Sequence, residues 1–402
     1  MGLFDLFKTP TRRGRGNVIT IDSSLGNVLV AGNSKAGANV IIRNYAIDSI
    51  NKGYGLIIFR DQTTGMTTYP SITSSPRNIY EVDCTENSTT EQIDVFTGLN
   101  ENDINSEIVK LFDAYNEIDK SKKMTYLNYI ALMRNLLKKS GRNVKLNELA
   151  NYPIEEVEDM NYRYATNPME QSRNDRFLSG IRTEIGNLES YFYDFSQNVI
   201  GYILSGNKTI EKIFLTKPII EISLDYTGRP DESRIIMTAI LEAINRANVA
   251  TCSKAGISIV VDGAPNEILL DSGLQKTIRN GRVSHVLFTV QDVSNLVEKS
   301  NEWIDCADTY FFFKQTSNKN KEFCSEIFGT YEKAKESFTS GRTDPTFWDR
   351  MSGRGSSTNQ RSKTVTYEKE RVYTPEFFSS LPDNQAIYFN KKENYHCPLN
   401  VY

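Results

Sequence analysis

The residues best placed to do chemistry lie between Gly26 and Asn39. An apolar run, Val28 to Ala31, enters a loop bounded by Gly32 and Gly37, and a helical pattern follows through Val40, Ile42, Ala46 and Ile50. This is the outline of a phosphate-binding loop, Gly-x-x-x-x-Gly-Lys-Ser/Thr. In it, backbone N–H groups wrap the phosphates, the Lys reaches the terminal ones and the hydroxyl ligates Mg2+. The cradle here would be Gly32, Asn33, Ser34, Lys35, Ala36, Gly37, Ala38 and Asn39. The two glycines keep the required separation, but Ala38 stands where the Lys belongs and Asn39 where the hydroxyl belongs. Lys35, inside the loop, is a partial substitute for the missing charge. Backbone donors at a helix N-terminus still favour an anion, so the expectation is weak binding of ATP with Mg2+, or none, and no efficient hydrolysis.

A second constellation sits later in the chain. Gly256 to Val261 is an apolar strand closed by Asp262, the position from which an acid would hold the Mg2+ shell. Gly263 takes the place of a water-activating Glu, and Glu267 follows at a distance that only a particular loop path would close. Gln291 closes Val286 to Val290 as a polar sensor would, and Arg282 precedes that strand as a candidate arginine finger across a subunit boundary. Each has a plainer reading as well. Asp262 suits the cap of a helix starting near Pro265, and Gln291 an ordinary strand end.

The elements that must carry these residues alternate. Asn17 to Asp22 is a short strand candidate, and Gly55 to Asp61 a buried strand after the first helix, which Gly53 would cap. Asn78 to Asp83, Lys217 to Asp225, Val283 to Gln291 and Ala307 to Lys314 read as further strands, and Gln385 to Asn390 as a last short one. Helices are expected from Pro230, over Glu267 to Asn280 and over Asp292 to Lys299. Between about 104 and 212 strand signals vanish and Leu, Tyr, Glu and Lys recur at helical spacing. The lysine clusters there, such as Lys138-Lys139, fit a solvated face or a nucleic-acid patch. The expected plan is therefore an α/β domain with a doubly wound, mostly parallel sheet, interrupted by an all-helical insertion. Its parts would be an arm over 1–16, a first α/β segment over 17–103, the insertion over 104–212, and a second α/β segment over 213–402. That last segment would contain a flexible Gly/Ser/Arg-rich loop over 339–361 and a charged strand from Ser362 to Tyr373.

Composition excludes several classes. Of 402 residues, 39% are hydrophobic and 24% charged, and the formal net charge is -3, so there is no global basic field. The five cysteines are scattered, only His285 and His396 could join them, and no zinc-site spacing exists. They read as reduced thiols of a cytoplasmic protein. No apolar run approaches the roughly 18 residues of a spanning helix. The arm, with Leu3, Phe4 and Phe7 on one side and Arg12, Arg13 and Arg15 after them, suits an interfacial membrane contact or a helix docked on a neighbouring subunit.

At Val28 to Gly37, Ile257 to Asp262, Gly281 to Gln291, Ala307 to Gly329 and Tyr373 to Phe378, the chain resembles the conjugative coupling ATPases of type IV secretion. These form the TraG/TraD group within the FtsK/HerA class of hexameric DNA pumps. The resemblance covers about Val28 to Asp61 and most of the chain from Lys217 onward. It implies a RecA-like P-loop domain, an all-α domain at the DNA entrance of a ring, ATP bound between subunits, and DNA or protein handed to a secretion channel. In the family pattern Ala38 would be Lys, Asn39 Ser or Thr, and Gly263 Glu. The leading expectation is thus a catalytically degenerate ring subunit, a scaffold or a DNA- or substrate-binding adaptor, in the cytoplasm or peripheral at the inner membrane face. The alternatives are an active DNA-translocating ATPase working through Lys35, Asp262, Glu267, Arg282 and Gln291, and a structural protein that binds no nucleotide.

Overall fold

The computed structural model describes residues 21, 23–32, 35–62, 79–84, 90–96, 98–142, 145–247, 256–281, 283–294, 296, 302–343, 351 and 358–401. The expected arm over 1–16 and, Ile21 apart, the strand over 17–22 lie outside them. The chain divides into two compact units, residues 1–313 with 383–402, and residues 314–382.

Eleven strands occur among the described residues: β1 (Val28–Ala31), β2 (Gly55–Asp61), β3 (Ile79–Asp83), β4 (Ile219–Leu224), β5 (Ile257–Asp262), β6 (His285–Val290), β7 (Thr309–Phe312), β8 (Thr330–Thr343), β9 (Thr358–Arg371), β10 (Gln385–Asn390) and β11 (Tyr395–Asn400). All except β8 and β9 form one sheet in the first unit, in the order β11-β10-β7-β1-β6-β5-β2-β4-β3. The seven strands from β7 to β3 are parallel, and β10 and β11 add an antiparallel edge. β1, β4, β5 and β7 are buried at every position. Near-continuous apolar runs are what a parallel sheet covered on both faces demands.

Asn27 fixes where β1 enters the sheet. Its carbonyl accepts from the N–H groups of Asp308 (2.8 Å) and Thr309 (3.1 Å), and its side-chain oxygen accepts from the Val286 N–H (3.1 Å). Gly26 before it has φ +71°, and a Cβ there would lie 2.4 Å from the Asp308 carboxylate, so no other residue fits without displacement. Helix α1 (Lys35–Asn51) then leads from β1 to β2. It ends on Gly53, at φ +81°, with the Gly53 and Tyr54 N–H groups donating back to the carbonyls of Ile50 and Ser49.

Between β3 and β4 stands a helical block: α2 (Glu101–Asn116), α3 (Lys123–Lys139), α4 (Ile154–Tyr164), α5 (Pro168–Ile181), α6 (Gly186–Gln197), α7 (Val199–Ile203) and α8 (Ile210–Phe214). Its core is aromatic. Phe112 meets Phe195 edge-on at 4.6 Å, and Tyr129 stacks near Phe192 at 6.4 Å between ring centroids. Lys138 pairs with Glu101 (3.0 Å) and Lys139 with Glu170 (2.7 Å), which favours the solvated face over a nucleic-acid patch.

Helix α2 packs on α9 (Pro230–Arg246), the helix between β4 and β5, through a charged seam. A cavity of about 260 Å³ there is lined by Glu107 and Lys110 of α2 and by Glu242, Asn245 and Arg246 of α9, among others. Burial, and after it the hydrogen-bonded Glu107 carboxyl, push the Glu242 carboxyl up to about 7.

In the second unit, helices Asn318–Ile327 and Pro375–Ser380 pack through Phe328, whose ring lies 4.9 Å from Tyr373 and 6.0 Å from Phe378. β8 and β9 form a separate antiparallel ribbon, in register from Thr330↔Arg371 to Thr343↔Thr358.

Three expectations need correction. The loop expected over 339–361 is strand at both ends, because β8 runs to Thr343 and β9 starts at Thr358, each satisfying the other's backbone. The helix expected over Glu267 to Asn280 is two short helices, Asn266–Asp271 and Leu274–Arg279, broken where Gly273 turns left-handed at φ +77°. β10 is not the last strand, since β11 pairs with it and Pro398 is accommodated at the sheet edge.

Two measurements check these energetics. The folded state raises the Glu242 carboxyl above its ordinary value, so the stability tied to its proton is complete below about pH 4.5 and is lost as pH rises through about 7. Glu242→Gln, uncharged throughout, should therefore gain on the wild type by about 1 kcal/mol in thermal melts between pH 5 and pH 8, solvent screening of this half-buried group holding the gain down. Arg60 of β2 and Glu221 of β4 form a buried ion pair on neighbouring strands. Glu221→Leu alone should cost about 3–5 kcal/mol in urea denaturation, and Arg60→Met with Glu221→Leu much less.

Candidate functional site

The carboxyl ends of β1, β6 and β5 meet where the strand order changes direction, β1 lying between β6 and β7. In open α/β sheets such a crevice is where ligands sit. β1 leaves the sheet at Gly32, whose φ is +120° and whose N–H donates to the Val290 carbonyl of β6 at 3.1 Å. On the other side the Ala31 carbonyl accepts from the Phe313 N–H at 2.8 Å. Asn33 and Ser34 lie outside the described residues, and only the backbone of Lys35 and Ala36 is described, as the start of α1. The first turn of α1 has no acidic residue, so the positive end of its dipole is not cancelled locally. Gly37 is buried. Ala38 packs against the core cluster that includes Val28, Ile41 and Leu287, and Asn39 is half-buried in the same turn.

Asp262 ends β5 beside Arg60 of β2 and is 9% exposed. Its Oδ1 accepts from the Thr289 hydroxyl at 3.3 Å, and the same hydroxyl accepts from the Gly263 N–H at 2.7 Å. Thr289 therefore orients the acid and the turn after it. Gly263 is left-handed, at φ +74°. A further tie, Asn266 Nδ2 to the Asp292 carbonyl at 2.6 Å, joins the loop after β5 to that after β6. Gln291 follows β6 in a bend and is exposed, Glu267 is exposed near the start of helix Asn266–Asp271, and Arg282 lies outside the described residues. The structure thus gathers Gly32 and Asp262 around β6 and holds each by hydrogen bonds to it.

Sequence reasoning missed three residues here. Thr289 was hidden inside an apolar strand run. Asp61 closes β2 as Asp262 closes β5, a signal that could have been read. Tyr226, two residues past β4, is buried, and its hydroxyl has no hydrogen-bond partner among the described residues. Burial first, then the Asp262 and Asp61 carboxylates, push that hydroxyl well above its ordinary value, so it stays a protonated phenol.

The described residues fit a nucleotide only in part. Glycine turn, helix N-terminus and Asp262 suit a phosphate and a hydrated Mg2+, whereas Ala38 and Asn39 bring neither the ammonium nor the hydroxyl of the loop pattern. Among the described residues no group of His, Cys, Asp and Glu is disposed to hold a metal ion alone, and no helix is long and apolar enough to cross a membrane.

Residues 258–383, which include β5, Asp262 and the ribbon, match the family model of the TraM recognition site of TraD and TraG. The fold agrees over most of the chain with the bacterial conjugative coupling protein TrwB in its unbound monoclinic form, at TM-score 0.57 and 14% identity, covering 94% of this chain and 84% of that one. Residues 258–383 thus match that family in sequence, and the chain shares the fold of TrwB. The TrwB coupling protein in complex with ADP and Mg2+ is similar at TM-score 0.55 and 13% identity, over 94% and 84% of the two chains. VirB4 of Thermoanaerobacter pseudethanolicus follows at TM-score 0.52 and 10% identity, over 94% and 89%. No curated protein matches in sequence. The chain has the RecA-like P-loop architecture of those structures.

Thr289→Val would remove the acceptor of the Gly263 N–H and one donor to Asp262. A loss of about 1–3 kcal/mol in urea denaturation is expected, with Thr289→Ser close to wild type.

Proposed function

We propose that this coupling-protein relative is a ring-forming subunit that has lost efficient ATP hydrolysis. It would serve as a scaffold, or as an adaptor for DNA or another substrate, in a type IV secretion or conjugation-like system. One observation carries the reading. The crevice keeps its glycine turn and its Asp262, both anchored to β6, while the first turn of α1 offers the packed methyl of Ala38 and the amide of Asn39 where catalysis needs an ammonium and a hydroxyl. Gly263, in place of a base, removes the third part.

What remains is an anion-binding helix end beside one carboxylate, enough for weak nucleotide binding of the kind that the TrwB complex with ADP and Mg2+ suggests, and not for activating water. The working part of such a subunit would be its surfaces: the segment 258–383 for partner recognition, the sheet unit for assembly with copies or with an active ATPase, and the cytoplasmic face of a membrane complex for its place of action.

Calorimetry with Mg-ATP, run beside a mass measurement in solution, tests this. Binding no tighter than about millimolar, no turnover above background, and an oligomer are expected. Ala38→Lys with Asn39→Thr should tighten nucleotide binding at least tenfold. ATP turnover by the wild type that Asp262→Asn abolishes would overturn the proposal.

A further inference from the structure

The seam between α2 and α9 sets two carboxyls against each other where a salt bridge would be the ordinary choice. Glu107 of α2 is buried, Glu242 of α9 is half-buried, and the two are hydrogen-bonded at the cavity of about 260 Å³. The other charged groups of its wall are Asp103 and Lys110 on α2, Arg246 on α9 and Lys276 on helix Leu274–Arg279. Lys110 pairs with Glu107 at 3.1 Å, and Asp103, Lys110 and Lys276 are exposed. Helix Asn266–Asp271 and α7 also pack on α9. Glu267 and Asp271 of the first are exposed and outside the cavity wall, and α7 has no charged residue.

Arg246 faces two ways. Its Nη2 donates to the Val95 carbonyl at 2.5 Å, and its Nη1 stands 3.9 Å from the Glu242 carboxyl, too far for a hydrogen bond. Its Nε is buried with no acceptor among the described residues. Val95 belongs to the segment Ile93–Phe96, which precedes α2. The Ile93 and Asp94 N–H groups donate to the carbonyls of Ile203 (2.8 Å) and Lys208 (2.9 Å), at the other end of the helical block. Arg246 therefore ties α9 to a segment that is itself stitched to that block.

A hydrogen bond between two carboxyl groups needs one proton between them. With it, the pair carries one negative charge, which Lys110 balances. Without it, two negative charges share a site shielded from water and repel each other. Glu107, which burial alone would raise, is held below the usual range by hydrogen bonds from Glu242 and Lys110, so Glu242 is the member that keeps the proton. An ionised Glu242 would also compete for Arg246, offering Nη1 and the unsatisfied Nε a charged acceptor in place of the neutral Val95 carbonyl.

We propose that the α2–α9 seam is a proton-operated joint between the helical block and the sheet. With one proton shared by Glu107 and Glu242 the joint is closed and Arg246 holds Val95; with the proton gone, Arg246 turns to Glu242 and the joint loosens. Nothing in this device needs the nucleotide crevice, yet α9 is the helix between β4 and the strand that ends in Asp262. Because the closed joint raises Glu242 above its ordinary value, proton loss favours opening: closure is complete below about pH 4.5 and fades as pH rises through about 7.

Hydrogen–deuterium exchange of the full chain, with labelling times corrected for the intrinsic pH dependence of exchange, tests the joint. Peptides covering Ile93–Phe96, α2 and α9 should open about tenfold or more at about pH 8 relative to about pH 5, while those covering β1 and β6 keep their protection. Glu242→Gln keeps a hydrogen-bond donor without a charge, and should hold the seam at its low-pH protection throughout. Glu107→Gln, which removes the repelling charge, should reduce the response. Arg246→Met should free Ile93–Phe96 at both pH values, since the Val95 carbonyl then has no guanidinium in either state. Equal exchange of the wild type at the two pH values, a response that persists in Glu242→Gln, or one spread evenly over the sheet would overturn the proposal. Far-ultraviolet circular dichroism at about pH 5, expected unchanged in every variant, separates these outcomes from misfolding.

Discussion

β1 is four residues long, wholly buried, and hydrogen-bonded in parallel register to β6 on one side and β7 on the other. Its entry is clamped by Asn27 and its exit by the Gly32 N–H on the Val290 carbonyl. Because neither end can slide, the start of α1 is set by the sheet rather than by the loop between them. The same strand β6 supplies Thr289, which holds Asp262. One central strand therefore sets the distance between the glycine turn and the acid, the two groups that any phosphate in this crevice would have to meet.

That arrangement holds the cradle independently of the side chains that line it. The backbone geometry of the crevice is a by-product of burying Val28, Val30, Ile41 and Leu287 in one core, so selection for folding alone preserves it. The side chains that would do catalysis carry no such burden. Ala38 joins the core as a small apolar residue, and nothing in the packing asks for a lysine there. Fold kinship with TrwB and VirB4 accordingly speaks to architecture, while activity is decided by a few side chains.

Much of this was legible in the sequence, for stated reasons. Apolar runs ending in Gly32, Asp61 and Asp262 mark buried parallel strands, and Gly53 marks the end of α1 because only a left-handed residue closes it. What escaped depends on contacts between distant segments. Thr289 looks like one more strand residue until the register sets β6 beside β5. β11 contains Pro398 and lacks alternation, and only the free edge of β10 makes it a strand. The Gly- and Ser-rich run over 339–361 reads as loop because composition cannot reveal that its two ends pair with each other.

Gly263 decides what the end of β5 can carry. At φ +74° it occupies backbone that side-chain-bearing residues enter only at a cost of about 1 kcal/mol or more. A glutamate here would therefore be opposed by the turn itself, which is built on a residue without a Cβ and donates its N–H to Thr289. The turn thus works as a filter at the end of β5: it admits glycine freely and sets a threshold against any residue that would bring a carboxylate there.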